Sequence, residues 1–181
     1  MTPTQTLNHE HKVILLVVDA AEREAAKIEG GGAVDTERIE SMLSFFREFA
    51  DACHHAKEER HLFPAMNAKG VPLEAGPIAV MLHEHDQGRA FLRALDQALA
   101  RVKAGEAGAT GAVAGALLGY AGLLRAHIYK EDNILFPMAD KILSPADQET
   151  LAATFERVEA EEIGEGVHER YHELAHKLAQ G

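Results

Sequence analysis

The chain has no tryptophan, three tyrosines and a single cysteine, Cys53, in 181 residues. One thiol excludes an internal disulfide and fits a reducing compartment. No uninterrupted apolar stretch is long enough to cross a bilayer. The opening residues, MTPTQTLNHEHK, lack the basic-then-apolar order of a secretory leader, so a cytoplasmic location is expected. Positive charge is scarce: 18 Lys+Arg stand against 29 Asp+Glu, a net charge of -11. Nucleic acid and anionic membranes reward clustered Lys and Arg, so neither is an expected partner. Strand-forming runs are missing as well. What is plentiful is histidine, with 11 copies, the commonest metal ligand and the side chain that titrates near neutrality. Hydrophobic residues make up 46% of the chain, which suits one domain with a sizeable core.

The apolar spacing is helical throughout. A first helix is predicted over 7–29, stopped by Gly30-Gly31-Gly32. Asp35 caps a second, whose stripe runs Ile39, Leu43, Phe46, Ala50 and which continues to about Ala68. Residues 69–76 form a loop, and Pro77 opens a third helix to about Lys103. After a Gly/Ala-rich link at 105–111, a fourth carries Val113, Leu117, Tyr120 and Leu124 towards Leu143. Ser144-Pro145 starts a fifth, which Gly164 and Gly166 bend or break before 167–179. The expected fold is all-α: an up-down-up-down four-helix bundle over 1–143, with a C-terminal helical extension, 144–181, packed on it.

The sequence repeats internally. Leu7-Asn8-His9-Glu10-His11 matches Met81-Leu82-His83-Glu84-His85, and His11 precedes His85 by 74 residues. His54-x-x-x-Glu58-x-x-x-Leu62-Phe63-Pro64 matches His127-x-x-x-Glu131-x-x-x-Leu135-Phe136-Pro137 at a separation of 73. Two copies of this length mean duplication within one bundle rather than a solenoid. Positions i and i+4 lie about 40° apart on a helix, so each histidine shares a face with its glutamate. His54 falls about 20° from Leu43, and His127 about 20° from Tyr120, which turns both pairs towards the core. Unpaired charges buried there would cost several kcal/mol each, a cost that a metal removes. A single His-x-x-x-Glu is ordinarily a solvated pair; two copies on apolar stripes, each ending in Leu-Phe-Pro, point to a metal centre. Of the doublet His54-His55, only His54 matches the second copy. His11 and His85 are chosen over His9 and His83, although the repeat does not separate those registers. His9, His55, His61 and His83 are expected at the surface or just outside the ligands.

The pattern His11, His54-x-x-x-Glu58, His85, His127-x-x-x-Glu131 resembles the hemerythrin-like family of HHE cation-binding domains over roughly residues 7–140. The resemblance implies two non-haem irons rather than zinc, joined by an oxo or hydroxo group and bridged by Glu58 and Glu131, with the four histidines as terminal ligands. The expected function is binding of, or reaction with, dioxygen, peroxide or nitric oxide; the alternatives are an iron- or oxygen-sensing module without turnover and a metal-stabilised structural bundle, and a homodimer is left open. Oxygen-carrying members have a fifth histidine four residues after the third-helix ligand, where this chain has Arg89. Six protein ligands and the bridging oxygen fill all but about two of the roughly twelve positions on two octahedral irons, unless His9, Glu10, His83, Glu84, His55 or a tyrosine closes one more. Tyr120 and Tyr129 are the candidate hydrogen-bond donors to a bound ligand.

Other motifs compete. His168-Glu169-Arg170-Tyr171-His172 is a literal HExxH, overlapped by His172-Glu173-Leu174-Ala175-His176. A zinc hydrolase needs a third protein ligand, and none follows His176, so these residues read as the polar face of a tail helix with at most weak zinc affinity. A ferritin-like site needs Glu-x-x-His pairs; Glu58-x-x-His61 and three tail pairs, beginning with Glu165-x-x-His168, have that spacing, but the repeat places Ile134 opposite His61. Cys53 reads as a small buried filler. Pro64 and Pro137 are expected to kink their helices where Phe63 and Phe136 close one end of the site.

Overall fold

The computed structural model describes residues 1–164 and 166–181. Among the described residues every regular element is helical. Helix α1 is Pro3–Glu29, begun four residues earlier than the apolar pattern predicts because Thr2 and Gln5 form a capping box ahead of Pro3. Helix α2 (36–68) joins Thr36–Phe45, Phe46–His55, Glu58–Leu62 and Phe63–Ala68 end to end. Helix α3 is Gly76–Lys103 and α4 is Ala109–Ile142. Helix α5 (145–164) starts at a second capping box, between Ser144 and Asp147, and α6 is Val167–Gln180. Gly164 and Gly166, at φ 99° and 77°, hold the left-handed backbone that separates α5 from α6.

Contacts between neighbours fix the antiparallel order. Arg38 pairs with Glu24 and His54 with Glu10, joining α2 to α1 in opposite directions. Lys103–Glu40, Arg47–Asp96 and His85–Glu59 do the same for α2 and α3. Phe91 lies against Gly119 and Glu84 against His127 between α3 and α4; a Cβ at Gly119 would stand 2.3 Å from the Phe91 ring, so this crossing requires glycine. Arg125–Asp19 and Thr4–Asp140 close α4 onto α1. By length and composition α4 would suffice to cross a membrane. Here it packs between α1 and α3, with Val113, Leu117, Leu124 and Ile128 in the core.

The apolar interior is divided in two. One cluster gathers Val13, Val17, Ile39, Phe45, Phe46, Leu95, Leu117 and Leu124 with Ala175 and Leu178 of α6. The other gathers Leu7, Leu62, Phe63, Met66, Met81, Leu135 and Phe136 with Leu151 and Phe155 of α5. The layer between them is polar yet buried: Glu10, His11, His54, His55, Lys57, Glu58, His85, His127 and Glu131.

Two wide turns shape that layer. The Phe63 N–H donates to the Glu58 carbonyl, and the Phe136 N–H to the Glu131 carbonyl, five residues back instead of four. Each widened turn begins at a glutamate and ends just before a proline. Proline lacks an N–H and its ring collides with the carbonyl four residues earlier, so one extra residue in the turn relieves both problems. The kinks expected at Pro64 and Pro137 thus take the form of π-turns. A longer one, Phe46–His55, precedes the first glutamate.

Candidate metal centre

The four helices bring the six predicted side chains together. His11 and His54 face each other with Nε2 atoms 2.9 Å apart, and His85 and His127 with Nε2 atoms 3.1 Å apart. Glu58 extends between the pairs, Oε1 lying 3.6 Å from His54 Nε2 and Oε2 3.4 Å from His85 Nε2. Glu131 does the same from the opposite wall, with Oε2 3.1 Å from His11 Nε2 and Oε1 3.1 Å from His127 Nε2. None of the four carboxylate oxygens has a hydrogen-bond partner, although all are buried. Phe136 stacks on His11 and Phe63 on His85, closing one end as expected.

Each imidazole is aimed by an outer carboxylate on the neighbouring helix. Nδ1 of His54 meets Glu10 at 2.7 Å, and Nδ1 of His127 meets Glu84 at 2.9 Å. His85 meets Glu59 at 2.7 Å and His11 meets Asp132 at 2.6 Å. A carboxylate on Nδ1 fixes the tautomer that leaves Nε2 as a lone-pair donor, the arrangement that supports metal-bound histidine. Glu10 and Glu84, held open as direct ligands in the sequence, therefore stand one bond further out. The repeat carries Glu10 onto Glu84 and Glu59 onto Asp132, so all four were within its reach.

Electrostatics mark the centre as under-compensated. Burial pushes the Glu58 carboxyl well above its ordinary range, and the Glu131 charge adds to that shift. Burial acts the same way on Glu131, but the charges of His127 and His11 beside it hold it well below. Burial would lower His11 and His127; bonds and charges from Asp132, Glu131 and Glu84 outweigh it and raise both to about 9. Burial wins at His54, which drops to about 4.

The donor chemistry fits a pair of metal ions. Two metal–nitrogen bonds of about 2.1 Å at a right angle hold the nitrogens roughly 3 Å apart, as both histidine pairs are. Of three groups of donor atoms close enough to hold an ion among the described residues, two lie between the histidine pairs: His11, His54, Glu58 and Glu131, and His55, Glu58, His85 and His127; the third is Glu10, Glu159 and His168.

His55 takes the inner of the two places the sequence left open. Expected at the surface or just outside the ligands, it is buried, stacked on His85 with ring centroids 3.9 Å apart. The π-turn at Phe46–His55 advances less per residue than an α-helix, so both members of the doublet turn inward. Arg89 supports this side, donating to Asp51 at 2.8 Å and to Glu59 at 2.8 Å. Of the two candidate tyrosines, Tyr129 is excluded: it is 66% exposed, on the outer face of α4. Tyr120 is buried and shares a recess with Asp51, His55, His85, Gly88, Arg89 and Leu92 that has no room for a water-sized molecule. His9 and His83 are exposed, in line with the choice of His11 and His85. Burial pushes the Cys53 thiol up to about 12, which leaves it an inert filler. Of the ferritin-like pairs, Glu165 lies outside the described residues, and Glu58 turns to the histidines.

The sequence-missed Lys57 is fully buried, bonded to Glu10 and to Glu159 of α5. His168 of α6 approaches Glu10 at 3.7 Å. The C-terminal extension thus touches the carboxylate that aims His54. Its other two histidines follow along α6, with His172 stacked on His9 and the His172 and His176 rings 5.1 Å apart.

Among known proteins, an uncharacterized protein of Mycobacterium bovis and two of Mycobacterium tuberculosis are each 21% identical to this chain over 165 residues. The alignment covers 91% of the chain, which spans only 64% of the length of these relatives. No solved structure matches. The model of the hemerythrin HHE cation-binding domain matches residues 2–139. Helical bundle, buried His/Glu layer and family match agree, and the chain belongs to the hemerythrin HHE cation-binding family.

Proposed function

We propose that this is a non-haem di-iron protein that binds or reacts with a small ligand, namely dioxygen, peroxide or nitric oxide. The observation that carries this reading is the set of four buried oxygens of Glu58 and Glu131, none with a hydrogen bond, placed among four inward-facing Nε2 atoms. His11 and His54 would hold one iron and His85 and His127 the other, with the two glutamates spanning both. Iron bound there supplies the redox change and an open coordination position.

The protein's own residues do the rest. Glu10, Asp132, Glu59 and Glu84 keep the four imidazoles oriented, and the apolar clusters on either side exclude water. Close packing of six donors restricts access to ligands of a few atoms. The acidic surface and the single buried thiol support a cytoplasmic setting without nucleic acid or membrane as partner. A second reading, an iron- or oxygen-sensing module without turnover, is favoured by the contact of Glu159 and His168 with the Lys57–Glu10 pair.

The test is anaerobic loading with ferrous iron, then separate addition of dioxygen, peroxide and nitric oxide while the optical spectrum is followed. The proposal expects a new charge-transfer band with at least one of them. Consumption over many cycles marks an enzyme, and a single stoichiometric change marks a carrier or sensor. No spectral response to any of the three defeats the reading.

A further inference from the structure

The two halves of the bundle are related by the repeat, and they differ where it matters. Adding 73 to positions on α2 gives positions on α4, and adding 74 to positions on α1 gives positions on α3. His54, Lys57, Glu58 and Glu59 map onto His127, Lys130, Glu131 and Asp132. The contacts map too: Lys57 bonds Glu10 as Lys130 bonds Glu84. At three positions the correspondence fails together. His55 maps onto Ile128, Asp51 onto Leu124, and Arg89 onto Leu15.

In the second half these three are an ordinary apolar set: Ile128 and Leu124 are buried in the core and Leu15 packs against it. In the first half they form a connected polar chain. Arg89 Nε donates to Asp51 Oδ1 at 3.0 Å, and Asp51 Oδ1 lies 3.3 Å from His55 Nδ1. Asp51 thereby occupies one ring nitrogen of His55 and leaves the other for the interior. The ring lies flat on His85 and 5.6 Å from the His127 centroid. Burying an imidazole, and half-burying the carboxylate and guanidinium that hold it, where leucine and isoleucine suffice costs desolvation, which points to a use for the nitrogen.

We propose that His55 is a fifth nitrogen donor, joining His85 and His127 on one metal. Asp51 and Arg89 are its positioning residues. This rests on the di-iron reading above and makes the two metal positions unequal. The His85–His127 position gains a ligand and closes. The His11–His54 position keeps the open place, so the exogenous ligand binds there. The recess beside His55 and Tyr120, too tight for a water-sized molecule, fits a closed side. The nitrogen comes from α2, and residue 89 of α3 holds its carboxylate partner instead of the metal.

Mössbauer spectroscopy of the diferric protein, with azide as the small-ligand probe, tests this. The wild type is expected to show two distinct quadrupole doublets of equal area and to bind one azide per pair of irons. His55→Ile, which copies the other half, should keep both irons, draw the doublets together and bind a second azide. His55→Gln, which keeps polarity beside Asp51, controls for folding and should bring the same convergence. Asp51→Ala should shift only the doublet assigned to the His85–His127 iron. One unresolved doublet in the wild type, or doublets and azide stoichiometry unchanged in both His55 variants, overturns the proposal. Failure of the wild type to hold two irons would instead defeat the di-iron reading itself.

Discussion

Imidazole nitrogens that meet at 2.9 and 3.1 Å repel when both present lone pairs, so without metal some of them must carry protons. His11 and His127 do so most readily, both raised to about 9. Their charge then balances Glu131, and protons and metal compete for the same atoms. The sign follows. A histidine raised from about 6.5 to about 9 contributes stability that is complete below 6.5 and is lost as pH rises through 9. Metal-free protein should therefore have a urea midpoint that falls between pH 6.5 and 9.5, while the metal-loaded protein, whose imidazoles carry no proton at Nε2, lacks that fall. Equal slopes for the two forms would show that protons and metal do not share these atoms. At this scale the six inward residues were legible because the repeat aligned them on apolar stripes. His55 was left between the surface and the ligands, because the repeat places Ile128 opposite it and so carries no signal for its direction.

Helices carry that information only as far as their regularity lasts. The stripe Ile39, Leu43, Phe46, Ala50 correctly placed α2, but from Phe46 onward the backbone widens, and a fixed 100° step no longer predicts direction. The prolines after Glu58 and Glu131 signalled the irregularity without revealing its form. The extension was legible as a helix pair, through Ser144-Pro145 and the two glycines. Its reach into the centre was not, because Lys57 reads as a surface lysine beside two glutamates. Burial would lower the Lys57 ammonium, but Glu10 and Glu159 hold it well above the ordinary range, so it stays charged. Lys57→Met removes that charge and leaves two carboxylates facing each other in a largely buried space. Breaking such a pair costs about 3–5 kcal/mol. Thermal denaturation should show a drop in Tm of several degrees for this variant. The related Lys130→Met, at a lysine that is itself 33% exposed, should cost far less. Similar losses for the two variants would mean that the extension adds nothing to the buried lysine.

For the whole molecule, a duplicated pair of helices builds a closed polar layer between two apolar clusters, and each helix aims the histidine of the next. Glu10 serves His54, Glu59 serves His85, Glu84 serves His127 and Asp132 serves His11. The extension then covers one side of this ring, next to His54, and leaves Lys130 and Glu84 on the opposite side more open. The family match ends at residue 139, before the extension begins. The central claim is that the layer exists to hold two irons between Glu58 and Glu131. Metal analysis together with the magnetic susceptibility of the purified, iron-loaded protein tests it most directly, in the wild type and in Glu131→Ala. The account predicts two irons per chain with antiferromagnetic coupling in the wild type, and loss of at least one iron with loss of coupling in the variant. One iron or none in the wild type, stoichiometric zinc in preference to iron, or two coupled irons surviving in Glu131→Ala would contradict it.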